Sequence, residues 1–256
     1  MKILAVDTSS KNCSVAILEV NNDKFNVLIC ENSDDEKTHS QKLMPMIDGI
    51  LKKTNLSLDD INLLACCVGP GSFTGIRIGI ASVKAFADVK NIPTVAVTSL
   101  ESLSYNVQNA SYVVSLLDCK NENVYGAMFY KMKQNYAIMG ENVSDNINLV
   151  LDKFLSTLYN VKTPDVTFVG DGSILYKDLI TSKFAKNTNL QNCTLHFETD
   201  NLQSAISLGK CAYYKFLQGH FGDSNNLSPL YLRKPQAERG AIRTRSQWPR
   251  KERIWK

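Results

Sequence analysis

The sequence predicts an α/β protein built from two duplicated halves, each a mixed sheet with flanking helices. Three observations predict it. First, Val68-Gly69-Pro70-Gly71-Ser72 follows an apolar run that starts at Ile61 and precedes a helical pattern from about Thr74 to Lys90. Second, Leu116-Leu117-Asp118, a polar turn and Val124-Tyr125-Gly126-Ala127-Met128 echo Ala5-Val6-Asp7, a polar turn and Val15-Ala16-Ile17; Asp7 to Asp118 and Ala16 to Ala127 are both steps of 111 residues. Third, Val169-Gly170-Asp171-Gly172-Ser173 echoes the first glycine turn. Two echoes in the same order, with the same elements between them, mark an internal duplication, and a duplication decides architecture.

The elements follow in order. Ile3 to Val6 is a short apolar strand ending at Asp7-Thr8-Ser9-Ser10. Asn12 to Val20 and Lys24 to Glu31 are two further strands, with Asn21-Asn22-Asp23 as the turn between them. Ser33 to Lys37 is a polar, mostly acidic loop, and Thr38 caps a helix from His39 to about Lys53. Leu43, Met46, Ile47, Ile50 and Leu51 fall on one face of that helix, Met44 sits beside it, and Pro45 should bend it. His39, on the first turn, reads as a surface residue. Ser57-Leu58-Asp59-Asp60 is a capped turn before the strand that feeds the glycine loop. Asn91-Ile92-Pro93 ends the second helix, Thr94 to Val97 is a strand, and Glu101 to about Gln108 is helical. The second half repeats this with a third strand at about Tyr136 to Glu141, a helix at about Ile147 to Leu158 and a strand at Val166 to Val169. A helix from about Asn201 to Leu217 crosses back onto the first half. The expected domains are residues 1–108 and 109–238, followed by a basic tail at 239–256.

A chain of 256 residues can bury a substantial core. No apolar run approaches the ~18 residues of a membrane helix, and Lys2-Ile3-Leu4-Ala5-Val6 is not a secretory signal. The seven cysteines are odd in number, scattered and free of any Cys-x-x-Cys pair, which fits reduced core thiols in a cytoplasm better than disulfides or a zinc site. The net charge of +4 misleads. Residues 239–256 carry seven basic side chains and one acid, or +6, so the body carries about −2. The body is therefore not a nucleic-acid patch. The tail could neutralise phosphates, but it lacks apolar periodicity and reads as a solvated tail or an expression-derived extension.

The first glycine turn is the leading candidate site. Helix first-turn amides lack intrahelical partners, and the helix dipole favours an anion there. Gly69 and Gly71 let a backbone approach closely, Ser72 and Thr74 add hydroxyls, and Arg77 adds a positive charge. The spacing fits neither a Walker loop nor a dinucleotide fingerprint. The alternative is a tight turn whose Gly75 and Gly79 allow close helix packing; spacing leaves the two readings level. Asp7 with Thr8 and Ser9, at the end of a central strand, can hold a cation or orient a phosphate, or can simply cap its own turn. Duplication would bring Asp7, Asp118 and both glycine turns, with Gly170 and Gly172, to one shared cleft. On residues alone, the Met-and-Ile stripe of the first helix reads as core, with a partner surface as the lesser alternative.

The duplicated pattern, with its Asp at the first hairpin, resembles the actin, sugar-kinase and heat-shock ATPase superfamily, whose halves are ribonuclease-H-like. Four stretches narrow the match: Ile3-Leu4-Ala5-Val6-Asp7-Thr8-Ser9, His39-Ser40-Gln41-Lys42-Leu43-Met44-Pro45-Met46-Ile47, Val68 to Gly79 and Ser228-Pro229-Leu230-Tyr231-Leu232-Arg233. Together they resemble the bacterial TsaB (YeaZ) family from Met1 to about Glu238. The resemblance implies a non-catalytic, cytoplasmic subunit of the assembly that places threonylcarbamoyl on N6 of adenosine 37 in tRNAs. It implies a metal-bearing TsaD-type partner, a TsaE-type ATPase, a homodimer in the partner's absence, and contact with tRNA only through the complex. The catalytic relatives carry a His-x-x-x-His metal pair where this chain has Ser99 and Leu103, so the resemblance implies no metal here; Leu103 offers no ligand atom. It also implies an intersubunit face on the two helices, to which His39, Leu43, Met46, Ile50, Ile76, Ile80 and Val83 are assigned. Two other classes stand beside it: a small-molecule kinase or ATPase that keeps ATP or ADP in the cleft, and a metallopeptidase, for which the ligand pair is missing. Residual binding of ATP, ADP or an anion at the Gly69–Arg77 turn stays open.

Overall fold

The computed structural model describes residues 1–33, 39–190 and 192–233. Its first sheet starts with the apolar run β1 (Lys2–Asp7), which folds back through β2 (Cys13–Asn21) and β3 (Lys24–Ser33). Asn22 and Asp23 close the β2–β3 hairpin with φ of 50° and 61°. Positive φ at both central residues suits the twist of a two-residue hairpin, and Asn and Asp tolerate it. Helix α1 (His39–Lys53), strand β4 (Leu63–Cys67), helix α2 (Phe73–Lys90) and strand β5 (Thr94–Val97) complete the half, and helix α3 (Ser99–Ser104) follows. The strand order is β3-β2-β1-β4-β5, with β1–β4 and β4–β5 parallel and the hairpins antiparallel.

The second half repeats the plan. β6 (Tyr112–Asp118), β7 (Asn123–Met132) and β8 (Asn135–Ile138) form the meander, and a short β9 (Val143–Asn146) pairs with β7. Helix α4 (Ile147–Thr157), strand β10 (Asp165–Val169), helices α5 (Asp171–Leu175) and α6 (Lys177–Lys186), strand β11 (Thr194–Phe197) and helix α7 (Ala205–Leu217) follow. The order β11-β10-β6-β7-β8 has the same parallel and antiparallel pairings as the first sheet. Helices α1 and α2 bury Leu43, Ile47, Ile50, Ile76, Ile80 and Val83 against one face of the first sheet. Helices α4 and α6 do the same for the second sheet through Ile147, Val150, Phe154, Ile180 and Phe184. Each such side chain removed from water contributes roughly 1.5–3 kcal/mol.

The last helix of each half crosses to the other half's sheet. Helix α7 packs Ala205, Leu208, Cys211 and Ala212 on the open face of the first sheet, where Gly209 lies against Leu18. Helix α3 packs Leu100 and Leu103 on the open face of the second. Where they cross, Lys215 Nζ pairs with both Glu101 carboxylate oxygens at 2.8 and 3.0 Å, and Glu101 also accepts from the Thr98 backbone N–H at 2.7 Å.

Several expectations shift. The third helix begins at Ser99 and ends at Ser104, because Thr98 and Glu101 form a capping box that fixes its start. The back-crossing helix begins at Ala205 under the Ser204 cap, four residues later than expected. The third strand of the second half is β8, shorter than expected, and β9 and β11 carry no periodicity that revealed them. His39 is not at the surface: it is 3% exposed. The Thr38 cap, residues 34–37 of the mostly acidic loop and the tail 239–256 lie outside the described residues. Among the described residues no helix is long and apolar enough to cross a membrane.

The candidate functional site is a cleft between the two sheets

A cleft of about 580 Å³ opens between the halves, lined on one wall by Ser9, Ser10, Lys11, Asn12, Gly71 and Ser72 and on the other by Leu117, Asp118, Cys119, Lys120, Tyr125 and Asp171. Asn201, Leu202 and Gln203, the lead-in to α7, close a third side. Of the sequence-predicted residues, Ser9, Gly71, Ser72 and Asp118 reach it. The others do not, for separate reasons.

Asp7 is fully buried behind the cleft. Its Oδ1 accepts from the Ser9 backbone N–H at 2.9 Å and Ser9 Oγ at 2.6 Å, while Oδ2 has no hydrogen-bond partner among the described residues. Loss of water around it raises the Asp7 pKa above the usual carboxylate range, against the opposing pull of the Ser9 bonds. Burial, reinforced by Asp7, also pushes up the Cys66 and Cys67 thiols. Thr8 is buried too, and its Oγ1 donates to the Gly75 carbonyl at 2.7 Å.

The glycine turn is a packing device. A Cβ on Gly71 would collide with the Ser9 carbonyl, one on Gly75 with the Thr8 carbonyl, and one on Gly79 with Thr8 Oγ1. Spaced four apart, the three glycines let α2 lie directly against the turn after β1. Ser72 caps α2, its Oγ accepting from the Gly75 N–H at 3.2 Å, and its own N–H donates to the Ser9 carbonyl at 2.6 Å. The close-packing reading therefore accounts for this motif. Gly69 is buried with φ of 99° against the Leu230 carbonyl and Ile76. Thr74 is exposed and does not line the cleft. Arg77 does not line it either: the guanidinium lies 3.8 Å over the Phe73 ring, and Nε donates to Tyr231 Oη at 2.7 Å.

The second glycine turn sits differently. Gly170, with φ of 101°, lies against the Leu116 carbonyl, and its N–H donates to Asn201 Oδ1 at 2.7 Å. Gly172 is buried against Leu116 and the Asp118 backbone. Ser173 Oγ donates to the Val169 carbonyl instead of capping a helix. The charged groups that face the cleft from this wall are Asp118, Lys120 and Asp171. Lys120 Nζ donates to Asp118 Oδ2 at 2.8 Å, and Asp171 Oδ1 accepts from the Asp118 backbone N–H at 2.9 Å. The Asp118 bond raises the Lys120 pKa; partial desolvation raises that of Asp171, although the residue stays exposed.

Register explains why the two aspartates differ. Ala5 pairs with Ala16 on the α7 face of the first sheet, whereas Ala127 pairs with Ser115 on the α3 face of the second. The counterpart of Asp7 by face is therefore Leu117, and Asp118 lies one residue further, on the side of Leu116. Sequence reading missed Lys11, Asn12 and Lys120, which directly follow the two Asp turns. Asn201 and Gln203 carry no local signal; the crossover delivers them.

Two further sequence assignments meet the core. Ser99 is fully buried, its Oγ donating to the Pro70 carbonyl at 2.5 Å, and Leu103 is buried among Leu100, Val113 and Val169. Among the described residues no group of three or more His, Cys, Asp or Glu side chains is placed to hold a metal. The residues assigned to the partner face are interior. His39, Leu43, Ile50, Ile76, Ile80 and Val83 are buried in the single chain, Ile80 the most exposed hydrophobic of them at 5%, and Met46 packs partly buried against them. The sheet face takes up most of the stripe in the single chain, and of these residues Met46 keeps the most solvent-exposed surface.

The family model for TsaD, tRNA N6-adenosine threonylcarbamoyltransferase, matches residues 33–241. The tRNA threonylcarbamoyladenosine biosynthesis protein TsaB of Haemophilus influenzae is 30% identical over 91% of this chain and 94% of its own length. The protein of the same name from Bacillus subtilis is 29% identical over 93% and 96%. The solved structure of YeaZ from Pseudomonas aeruginosa superposes with a TM-score of 0.69 at 23% identity, covering 90% of this chain and 99% of its own, which establishes the shared fold. Matched along nearly its whole length, the chain belongs to the TsaD family of proteins, in its TsaB branch.

Proposed function

We propose that this chain is the non-catalytic subunit of the assembly that forms N6-threonylcarbamoyladenosine at position 37 of tRNA. The observation that carries this reading is the near-full-length likeness to proteins named for tRNA threonylcarbamoyladenosine biosynthesis. The residues at 99 and 103 support it: a buried serine already bonded to Pro70 and a buried leucine offer no metal-binding pair. In this reading a TsaD-type subunit brings the metal and the transfer chemistry, a TsaE-type ATPase joins the complex, and two copies of this chain pair when the TsaD-type subunit is absent. The cytoplasm is the matching compartment.

The partner face consists of the outer sides of α1 and α2, where Met44 is 47% exposed and Ala81 and Ala85 are exposed, not of the inward stripe. Reconstitution tests the whole reading. The chain alone should transfer nothing to tRNA, and adding it to the TsaD-type and TsaE-type subunits should switch modification on. Activity of the chain by itself would overturn the proposal. Ala85→Glu should abolish pull-down of the TsaD-type subunit while leaving thermal unfolding unchanged; retained binding would remove α2 from the interface.

A further inference from the structure

The segment Ser228–Arg233 takes no part in the cleft chemistry above, yet it touches both sides of the cleft. Leu227 and Leu230 anchor it in the core beneath α1 and α2. The Leu230 N–H donates to the Val68 carbonyl at 2.7 Å, and its own carbonyl lies against Gly69. Tyr231 stacks on Phe73 with ring centroids 4.6 Å apart and accepts from Arg77 Nε. Two residues on, Arg233 reaches the second half: its Nη1 donates to the Cys119 carbonyl at 3.3 Å and approaches Cys119 Sγ at 3.0 Å. Cys119 belongs to the β6–β7 turn, on the wall opposite Gly71 and Ser72.

We propose that Ser228–Arg233 is a strap that ties the glycine turn of the first sheet to the β6–β7 turn of the second and so sets how far the cleft opens. The crossed helices α3 and α7 join the halves through their sheet faces, and the strap adds a separate link from the glycine turn to the β6–β7 turn. The aromatic stack is its buckle. Phe73 and Arg77 lie one helical turn apart on α2 and hold Tyr231 together, Phe73 by stacking on its ring and Arg77 by the bond to its hydroxyl, while the guanidinium itself lies over Phe73. Tyr231 is held by Phe73 and Arg77 on the first half and Arg233 holds Cys119 on the second, so a contact made on the first half controls the freedom of a turn on the second.

The test uses that separation. Amide exchange over residues 117–125 and alkylation of Cys119 by N-ethylmaleimide are followed by mass spectrometry in the full chain. Tyr231→Ala should speed both about tenfold, through release of the turn by local opening. Arg77→Gln, at an exposed position, should act in the same direction by a smaller factor and keeps the test valid if Tyr231→Ala folds poorly. Neither variant removes Arg233, and amide exchange, which does not depend on ionisation of the thiol, separates opening of the turn from a changed thiolate fraction. Unchanged exchange at residues 117–125 in both variants, or faster exchange spread evenly through all protected amides, would overturn the proposal.

Discussion

The two halves run the same topology, yet they treat their strand–glycine–helix corner in opposite ways. In the first, Gly71, Gly75 and Gly79 press a long helix onto Thr8 and Ser9, and the aspartate ends sealed beneath. In the second, the helix is broken into α5 and α6, and Asp118, Lys120 and Asp171 face the cleft. A motif that reads as one ligand site repeated is a packing joint on one side and a polar wall on the other. The lesson is that register, more than residue type, decides whether a strand-end carboxylate meets solvent. One residue of slippage replaces Asp7 by Leu117 on the equivalent face.

The largest expected contrast is steric. Gly75→Ala places a methyl against the Thr8 carbonyl, with no flexible side chain to yield, and should cost about 3 kcal/mol or more in urea unfolding. Gly172→Ala meets Leu116 and Asp118 backbone atoms at 3.1–3.2 Å, a tight contact and not a collision, and should cost less, about 1–2 kcal/mol. Equal losses would break the contrast between joint and wall.

Next comes pH. The folded pKa of Asp7 is raised, so its contribution to stability is complete below its unfolded value and falls as pH rises toward the folded one. From about pH 4 upward, Asp7→Asn should therefore gain on the parent chain by at most about 1.4 kcal/mol per pH unit and then level off. Asp171→Asn should show the same sign with a smaller amplitude, because water still reaches Asp171. Denaturant titrations at pH 4 to 8 measure both; a flat difference for Asp7→Asn would mean that its burial is relieved.

The smallest contrast concerns ion pairs. Lys215→Met should cost about 1–2 kcal/mol, since it strips a half-buried Glu101 that also caps α3. Lys120→Met should cost less than Lys215→Met, since the lysine side chain is 85% exposed. Thermal melts of the two variants would sharpen the picture of a rigid crossing beside a yielding cleft wall.

Much of this was legible in the sequence because local chemistry dominated. The helix from His39 to Lys53, the Ser57 turn and the repeated order of elements all follow from apolar spacing and capping residues. The fates of the functional candidates were not legible, since they depend on which way a side chain points across a sheet. His39 and Ile80 look alike to periodicity whether the stripe faces a sheet or a partner. Arg77 looks like an anion ligand until Tyr231, far along the chain, is seen stacked beside it. Asn201 and Gln203 enter the cleft only because α7 returns to the first sheet.

That exchange of terminal helices has a consequence for how the chain can be divided. Severing it between residues 105 and 111 would part α3 from the strands it covers and strand α7 on the wrong fragment. Neither piece, expressed singly, would possess a closed interior. The two should recover native structure only when mixed, and the intact chain should melt in one step, with no surviving half.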